Sequence, residues 1–264
     1  MSSRLATFRK LHNTATPLLL PNAWDAGSAR LFESLGATAI ATTSAGVAWA
    51  LGYPDGYKLP TDVAIGLAAN IGRVLKVPLT IDIEDGYSDD PKQVAETVLR
   101  LIDVGVVGIN LEDGPKPASL LASKIERIKS EAAKRDVDIF INARTDVFLA
   151  GLVEKPQRVE ETLKRAALYK DAGTDGLFVP AVVAPEQIAS IAQGINMPLN
   201  VLAWEGLPKA SDLGKLGVHR LSAGSGIAQV LWQQAQTLAK AFLEGGKSED
   251  LKGQMPYSQL QGLF

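Results

Sequence analysis

The sequence predicts an α/β fold, a single-domain (β/α)8 TIM barrel. Three observations carry this. Short, β-branched apolar runs alternate eight times with longer amphipathic segments. Three stretches, SLGATAIATT, DVGVVGINLED and DAGTDGLFVP, repeat one layout of helix end, glycine turn and strand. The 264 residues match the ~250 that such a barrel needs.

Element by element, a short helix over residues 4–11 precedes a first strand at residues 18–20. A helix at 26–35 leads to a strand at 37–42, and a helix at 61–75 to a strand at 79–83. Asp90-Pro91 places a capping side chain before a proline at the first helical position. Val94, Val98, Leu101 and Ile102 then recur at helical spacing over 91–104. Gly105 ends that helix ahead of a strand at 108–111. The same logic gives helices at 120–134, 156–172, 185–193 and 209–216, with strands at 138–143, 176–179, 199–203 and 218–222. A final helix spans 226–243. Eight units favour a closed barrel over an open sheet, and no GxGxxG motif follows the first strand. Residues 1–244 form the barrel on this reading. Residues 245–264, rich in glycine, form a C-terminal extension suited to subunit contacts.

Composition narrows the function. Hydrophobic residues make up 46% and charged residues 21%, as in a globular protein with a sizeable core. A net charge of −2 offers no basic excess for phosphate backbones, so nucleic acid is not an expected partner. The absence of cysteine removes disulfides, thiolate ligands and a cysteine nucleophile. The N-terminal segment carries Arg4, Arg9 and Lys10 without an apolar leader core, and no apolar run approaches membrane-spanning length. The expectation is a cytoplasmic protein that engages no membrane.

Active sites of such barrels sit at the C-terminal ends of the strands, and charged residues gather there. The third strand ends Asp82-Ile83-Glu84-Asp85, and alternation puts Asp82 and Glu84 on one face. The fourth ends Asn110-Leu111-Glu112-Asp113, with Asn110 and Glu112 sharing a face. Asp82, Glu84 and Glu112 are thus expected to form a cluster of hard oxygen ligands for Mg2+, with Mn2+ as the alternative ion. The fifth ends Asn142-Ala143-Arg144, so Arg144 is expected beside the acids, able to grip a carboxylate with its fork. A cation and an arginine together make a clamp for an enolate-like anion. After the second strand, Thr43, Ser44, Ala45 and Gly46 offer small side chains and backbone amides for an oxyanion. Asp55, in the turn-rich segment 51–56, can reach inward. Taken singly, an acid at a strand end is as often a cap or surface charge, and 43–46 is equally a plain βα turn. His12 and His219 read as structural, and Tyr53, Tyr87 and Trp204 as packing or lid residues.

With these residues in view, the segments LPNAWDAGSARLFESLGATAIATTSAGVAWALGYPDG, PLTIDIEDGY, GVVGINLEDG and INARTDVFL resemble successive signatures of the isocitrate lyase/phosphoenolpyruvate mutase superfamily, from about Leu20 to Ile227. The resemblance implies binding of pyruvate-derived 2-oxo or 2-hydroxy acids as enolates with Mg2+. The family's acids map to Asp82, Glu84 and Glu112, its arginine to Arg144 and its loop aspartate to Asp55. Its oxyanion segment maps to 43–46, with both Thr43 and Ser44 as candidates for the family's serine. It also implies homotetramers, built from dimers that exchange the final helix. Two departures stand out. The lyases' Lys-Lys/Arg-Cys-Gly-His loop is replaced by Gly114-Pro115-Lys116-Pro117-Ala118-Ser119, and the sixth strand ends Val179-Pro180-Ala181 without the mutases' histidine. At the seventh-strand position where methylisocitrate-type enzymes carry a substrate-touching asparagine, the nearest match is Leu202, although Asn200 shares its face.

What remains is the machinery that stabilises an enolate. The expected function is a Mg2+-dependent carbon–carbon lyase or decarboxylase acting on a small 2-oxo or 2-hydroxy carboxylate, with oxaloacetate as the leading case. Asp55, Glu112 and Arg144 are the catalytic candidates. Thr43, Ser44, Ala45, Gly46, Arg144 and Asn200 are the substrate-binding candidates. The alternatives are a C–P bond enzyme of the phosphonopyruvate hydrolase or phosphoenolpyruvate mutase type, and a barrel that binds a carboxylate without turnover.

Overall fold

Pro21, which has no backbone N–H to give to a ladder, splits the first barrel strand. In the computed structural model, which describes residues 3–264, helix α1 (Ser3–Leu11) is followed by β1 (Leu18–Leu20) and β2 (Asn22–Ala23). β1 pairs with the last strand and β2 with the next one along. The predicted first strand is therefore two short strands, and the sheet has nine parallel strands in a barrel nearly closed across Pro21. Met1 and Ser2, where the N-terminal reading began, lie outside the described residues.

The chain continues through α2 (Ala26–Ser34), β3 (Ile40–Thr42), α3 (Ser44–Ala50), α4 (Thr61–Val74), β4 (Leu79–Asp82), α5 (Pro91–Asp103), β5 (Gly108–Glu112), α6 (Ala118–Lys134) and β6 (Phe140–Arg144). A π-helical turn (Val147–Gly151) and a 3-10 turn (Lys155–Gln157) precede α7 (Arg158–Asp171). Then come β7 (Gly176–Val179), α8 (Pro185–Gly194), β8 (Leu199–Leu202), α9 (Ala210–Lys215), β9 (Val218–Ser222) and α10 (Gly226–Gly245). After α10, a 3-10 turn (Ser248–Leu251) and α11 (Tyr257–Gln261) bring the chain back toward α2, where Arg30 Nε donates to the Leu263 carbonyl at 2.6 Å. No helix among the described residues is long and apolar enough to cross a membrane.

The cap read at Asp90 is present, accepting from Lys92 N ahead of Pro91 on α5, and Asp25 and Ser28 add a reciprocal capping box on α2. Two predicted strands start late, at Ile40 and Phe140, because the residues before them close the preceding αβ turns.

Period-two alternation sorts the strands. On β5, Ile109 and Leu111 join the layer under the helices, with Ile81, Ile141, Leu177, Val179, Leu199 and Val201 from other strands. Helices α5 and α6 cover that layer with Val94, Val98, Leu101, Ile125 and Ile128. The inward positions are unusually polar. Asp82 pairs in register with Asn110, Asn110 with Asn142, and Asn200 with Arg220. Beneath them α1 contributes Leu5 and Phe8 to a second cluster with Leu18, Leu20, Val107 and Phe140. Those two side chains alone contribute roughly 1.5–3 kcal/mol each by burial.

Candidate active site

At the C-terminal ends of the strands lies a cavity of about 180 Å³, smaller than the ~300–1,000 Å³ that drug-sized ligands occupy. Asp82 and Arg144, the last residues of β4 and β6, both line it, as do Ser44, Ala45, Thr43 and Asp55. Six of the residues read from sequence thus converge on one pocket mouth.

Asp82 is closely held. Its N–H donates to Thr42 Oγ1 at 2.9 Å, and the Ser44 hydroxyl donates to its Oδ2 at 3.2 Å. Burial raises its pKa, and the Arg144 charge opposes that rise. Ser44 opens α3, so the segment 43–46 is a helix start capped by Thr43, not a loop nest. Gly46 does not line the cavity. A Cβ there would meet Thr43 Cγ2 at 2.7 Å and Trp24 Cβ at 3.1 Å, so this glycine serves close packing.

Glu84 departs from the shared-face reading. β4 ends at Asp82, and Glu84 adopts a left-handed φ of 53°, which breaks the strand alternation. Its carboxylate accepts the Tyr57 N–H instead of lining the cavity. Burial pushes its pKa up to about 7. Glu112 is likewise engaged. Its Oε2 stands 2.6 Å from Arg144 Nη1, and its Oε1 accepts the Tyr57 hydroxyl at 2.8 Å. Burial pushes its pKa up to about 8, against the pull of Arg144. Among the described residues no three His, Cys, Asp or Glu side chains stand in a metal-holding group, so the three-carboxylate cage expected from sequence does not form. A site with one direct carboxylate does fit the donor set. Mg2+ commonly takes one or two carboxylates and fills its octahedron with water and substrate oxygens, and of the three expected ligands Asp82 is the one that lines the cavity.

Arg144 is oriented on two sides. Asp146 takes Nε and Nη2 at 2.7 and 3.0 Å, Glu112 takes Nη1, and Phe178 lies under the guanidinium at 5.9 Å. Burial lowers its pKa, but Glu112 and Asp146 outweigh this and hold it above the usual arginine value. Of its five N–H groups, two are hydrogen-bonded to Asp146 while Nη1 is held in an ion pair with Glu112, so N–H groups remain for a ligand.

Asn200 is not at the cavity. Its Nδ2 donates to Val201 O, Arg220 O and Ser222 Oγ, while its Oδ1 accepts from Asn142 and Ser222. The amide is spent inside the barrel lumen. Sequence reasoning assigned no site role to Asn22, Asn110, Ser222 or Ser225, all cavity-lining, or to Tyr57. Strand-end position marked Asn110 and Ser222. Nothing local marked Tyr57, whose role comes from a loop folding back onto two strands. Leu149 reaches the rim on the π-helical turn after β6, a distortion frequent at functional sites.

A parallel barrel with a small polar cavity at its strand ends, walled by an acid and a doubly buttressed arginine, defines an enzyme-type site for a small anion. The family model described as phosphoenolpyruvate phosphomutase matches residues 8–243. An uncharacterised protein of Mycobacterium tuberculosis is 39% identical over 97% of this chain and 95% of its own length. An oxaloacetate decarboxylase of Pseudomonas fluorescens is 30% identical over 83% of this chain and 78% of its own. A solved structure from Burkholderia cenocepacia, assigned as a phosphonomutase, superposes with a TM-score of 0.86 at 37% identity, over 90% of this chain and all of that one. The chain belongs to the phosphoenolpyruvate mutase/isocitrate lyase superfamily.

Proposed function

We propose that this protein is a Mg2+-dependent lyase that breaks a carbon–carbon bond in a small 2-oxo or 2-hydroxy carboxylate through an enolpyruvate-type intermediate, with oxaloacetate as the leading substrate. The observation that carries this reading is the convergence of Asp82 and Arg144 on one small cavity. Similarity to an oxaloacetate decarboxylase supports it.

Asp82 would hold the ion, with the Ser44 hydroxyl steadying its second oxygen. When bound, Mg2+ supplies Lewis-acid polarisation of the C2 oxygen and charge for the developing enolate. The N–H groups of Arg144 that are not spent on Asp146 grip a carboxylate. For oxaloacetate, the C3–C4 bond breaks, CO2 departs, and its bonding pair moves into the C2–C3 unit to give the enolate of pyruvate. C3 then takes a proton to give pyruvate. We assign that relay to Asp55, a reading supported by its position on the cavity lining. Glu112 acts by holding Arg144 and the Tyr57 hydroxyl, not as a direct ligand.

We also propose that the chain works as a homo-oligomer, a dimer or tetramer. α10 supports this. Only Ala228 is buried along the helix, while Val230, Leu231, Trp232, Leu238, Phe242 and Leu243 are exposed, a larger apolar face than a monomer usually leaves in water.

A second reading, C–P bond chemistry on phosphonopyruvate, draws support from the phosphonomutase assignment of the Burkholderia relative. One experiment separates the two. The purified protein is followed by 1H and 31P NMR with oxaloacetate, methylisocitrate, dimethylmalate and phosphonopyruvate, with and without Mg2+. Mg2+-dependent pyruvate formation from a carbon acid supports the lyase. Turnover of phosphonopyruvate alone replaces it with the second reading. Mg2+-dependent oxalate binding without any product identifies a binding barrel.

A further inference from the structure

Arg220 is the largest fully buried side chain in the barrel. No carboxylate among the described residues lies within ion-pair distance of it, and its Nη1 has no hydrogen-bond partner. A charge enclosed this way is expensive to keep, so its few contacts are informative. Nη2 donates to Asn110 Oδ1 at 3.3 Å and Nε reaches Ser222 Oγ at 3.4 Å. Both acceptors line the cavity immediately above.

The contact with Asn110 dictates a polarity. A guanidinium has five donors and no acceptor, so it can meet only the oxygen end of an amide. Asn142 Nδ2 also donates to Asn110 Oδ1, at 2.9 Å. With the oxygen held by two donors from below, the Asn110 NH2 is turned the other way. Among the described residues it has no acceptor, although the side chain is 97% enclosed and lines the cavity (its exposure is 3%). Asn110 is also the register partner of Asp82 on the neighbouring strand. An oriented, unpartnered donor pair therefore stands beside Asp82, a carboxylate that faces the cavity.

Resting on the function proposed above, we infer that Asn110 is a substrate-contacting residue, its amide NH2 donating to an anionic oxygen of a 2-oxo acid beside Asp82, and that Arg220 is the positioning residue that aims it. Asn110 thereby supplies from the cavity floor what Arg144 supplies from the wall. The pair selects planar acids with adjacent carbonyl and carboxylate oxygens. A neutral ligand leaves both sets of donors without a charged acceptor.

The test uses oxalate, a planar mimic of the pyruvate enolate, titrated calorimetrically into the full-length protein with Mg2+. Asn110→Ala is expected to weaken oxalate binding by about tenfold or more, the worth of a hydrogen bond to a charged group. Arg220→Met is expected to weaken it comparably. In the Asn110→Ala background, Arg220→Met should cost almost nothing further, because no amide remains to be aimed. A merely structural arginine would cost the same factor in both backgrounds. If Arg220→Met does not fold, Arg220→Gln completes the same cycle. Unchanged affinity in Asn110→Ala, or additive losses in the double variant, overturns the inference and leaves the proposed function standing. Failure of the unaltered protein to bind oxalate overturns both.

Discussion

Asp146 grips the Arg144 guanidinium side-on, its two oxygens 2.7 and 3.0 Å from Nε and Nη2. Asp146 is itself set by Asp113, whose Oδ1 accepts the Asp146 backbone N–H at 2.9 Å. Asp113 Oδ2 in turn accepts from Tyr169 at 2.6 Å and Arg165 at 2.8 Å. A continuous chain of polar contacts thus runs from α7 to the arginine of the cavity wall.

Arg144→Lys keeps the charge and loses the fork. It is expected to lower kcat/KM on the substrate found by NMR by at least about a hundredfold, the usual worth of a preorganised donor at a developing anion. Asp82→Ala should abolish turnover. Circular dichroism and denaturation should show both variants folded, and full activity in either would show that the cavity is not the site of reaction.

Asp146→Asn keeps the shape of the Arg144 buttress but offers only one acceptor oxygen. Steady-state kinetics should show a smaller loss than in Arg144→Lys, on the order of tenfold. Tyr169→Phe, further along the chain, removes a donor from a buried carboxylate. Urea unfolding should show a loss of about 1–3 kcal/mol with catalytic parameters nearly intact, because Arg165 still neutralises Asp113.

His12 gives stability a pH dependence. Its Nδ1 donates to Phe8 O at 2.9 Å and its ring stacks on Phe140 at 4.5 Å. Burial, and then the charge of Arg220, pushes its pKa down from 6.5 to about 3. The unfolded chain therefore takes up a proton below pH 6.5 that the native state refuses. This group's contribution is intact above pH 6.5 and lost as pH falls toward 3, at up to about 1.4 kcal/mol per unit. Unfolding free energies measured from pH 7 to 4.5 should fall less steeply in His12→Gln than in the unaltered protein. Equal slopes would show that the imidazole accepts a proton in place.

The apolar face of α10 sets the fourth expectation. Light scattering should give an oligomer for the unaltered chain. Trp232→Glu combined with Leu238→Glu should shift it to monomer, since both side chains lie on the exposed helix. An unchanged mass in the double variant would place the interface elsewhere.

Much of this molecule is legible in its residues taken in order. Hydrophobic period, glycine turns and caps such as Asp90-Pro91 are local signals, so the barrel and nearly every helix follow from short stretches of chain. Strand-end position also picked out Asp82, Arg144, Ser44, Ala45 and Thr43, and the turn-rich loop beyond them Asp55, because in a parallel barrel the direction of each strand already says which end is the mouth.

The limits lie where local rules meet a neighbour. Alternation placed Glu84 beside Asp82, but the strand stops one residue too soon, and a left-handed turn hands the carboxylate to Tyr57. Asn200 shares a face with the cavity-lining Leu202, yet depth along the lumen decides whether an inward amide meets ligand or other amides. The polarity of Asn110 depends on an arginine 110 positions away. The linear order of residues thus determined the barrel, the end that bears the chemistry and most of the side chains at its mouth, since these depend on spacing along one strand or helix. Which of those side chains face the cavity and which are consumed by one another was decided only in three dimensions, because hydrogen bonds and ion pairs join strands that the sequence holds far apart.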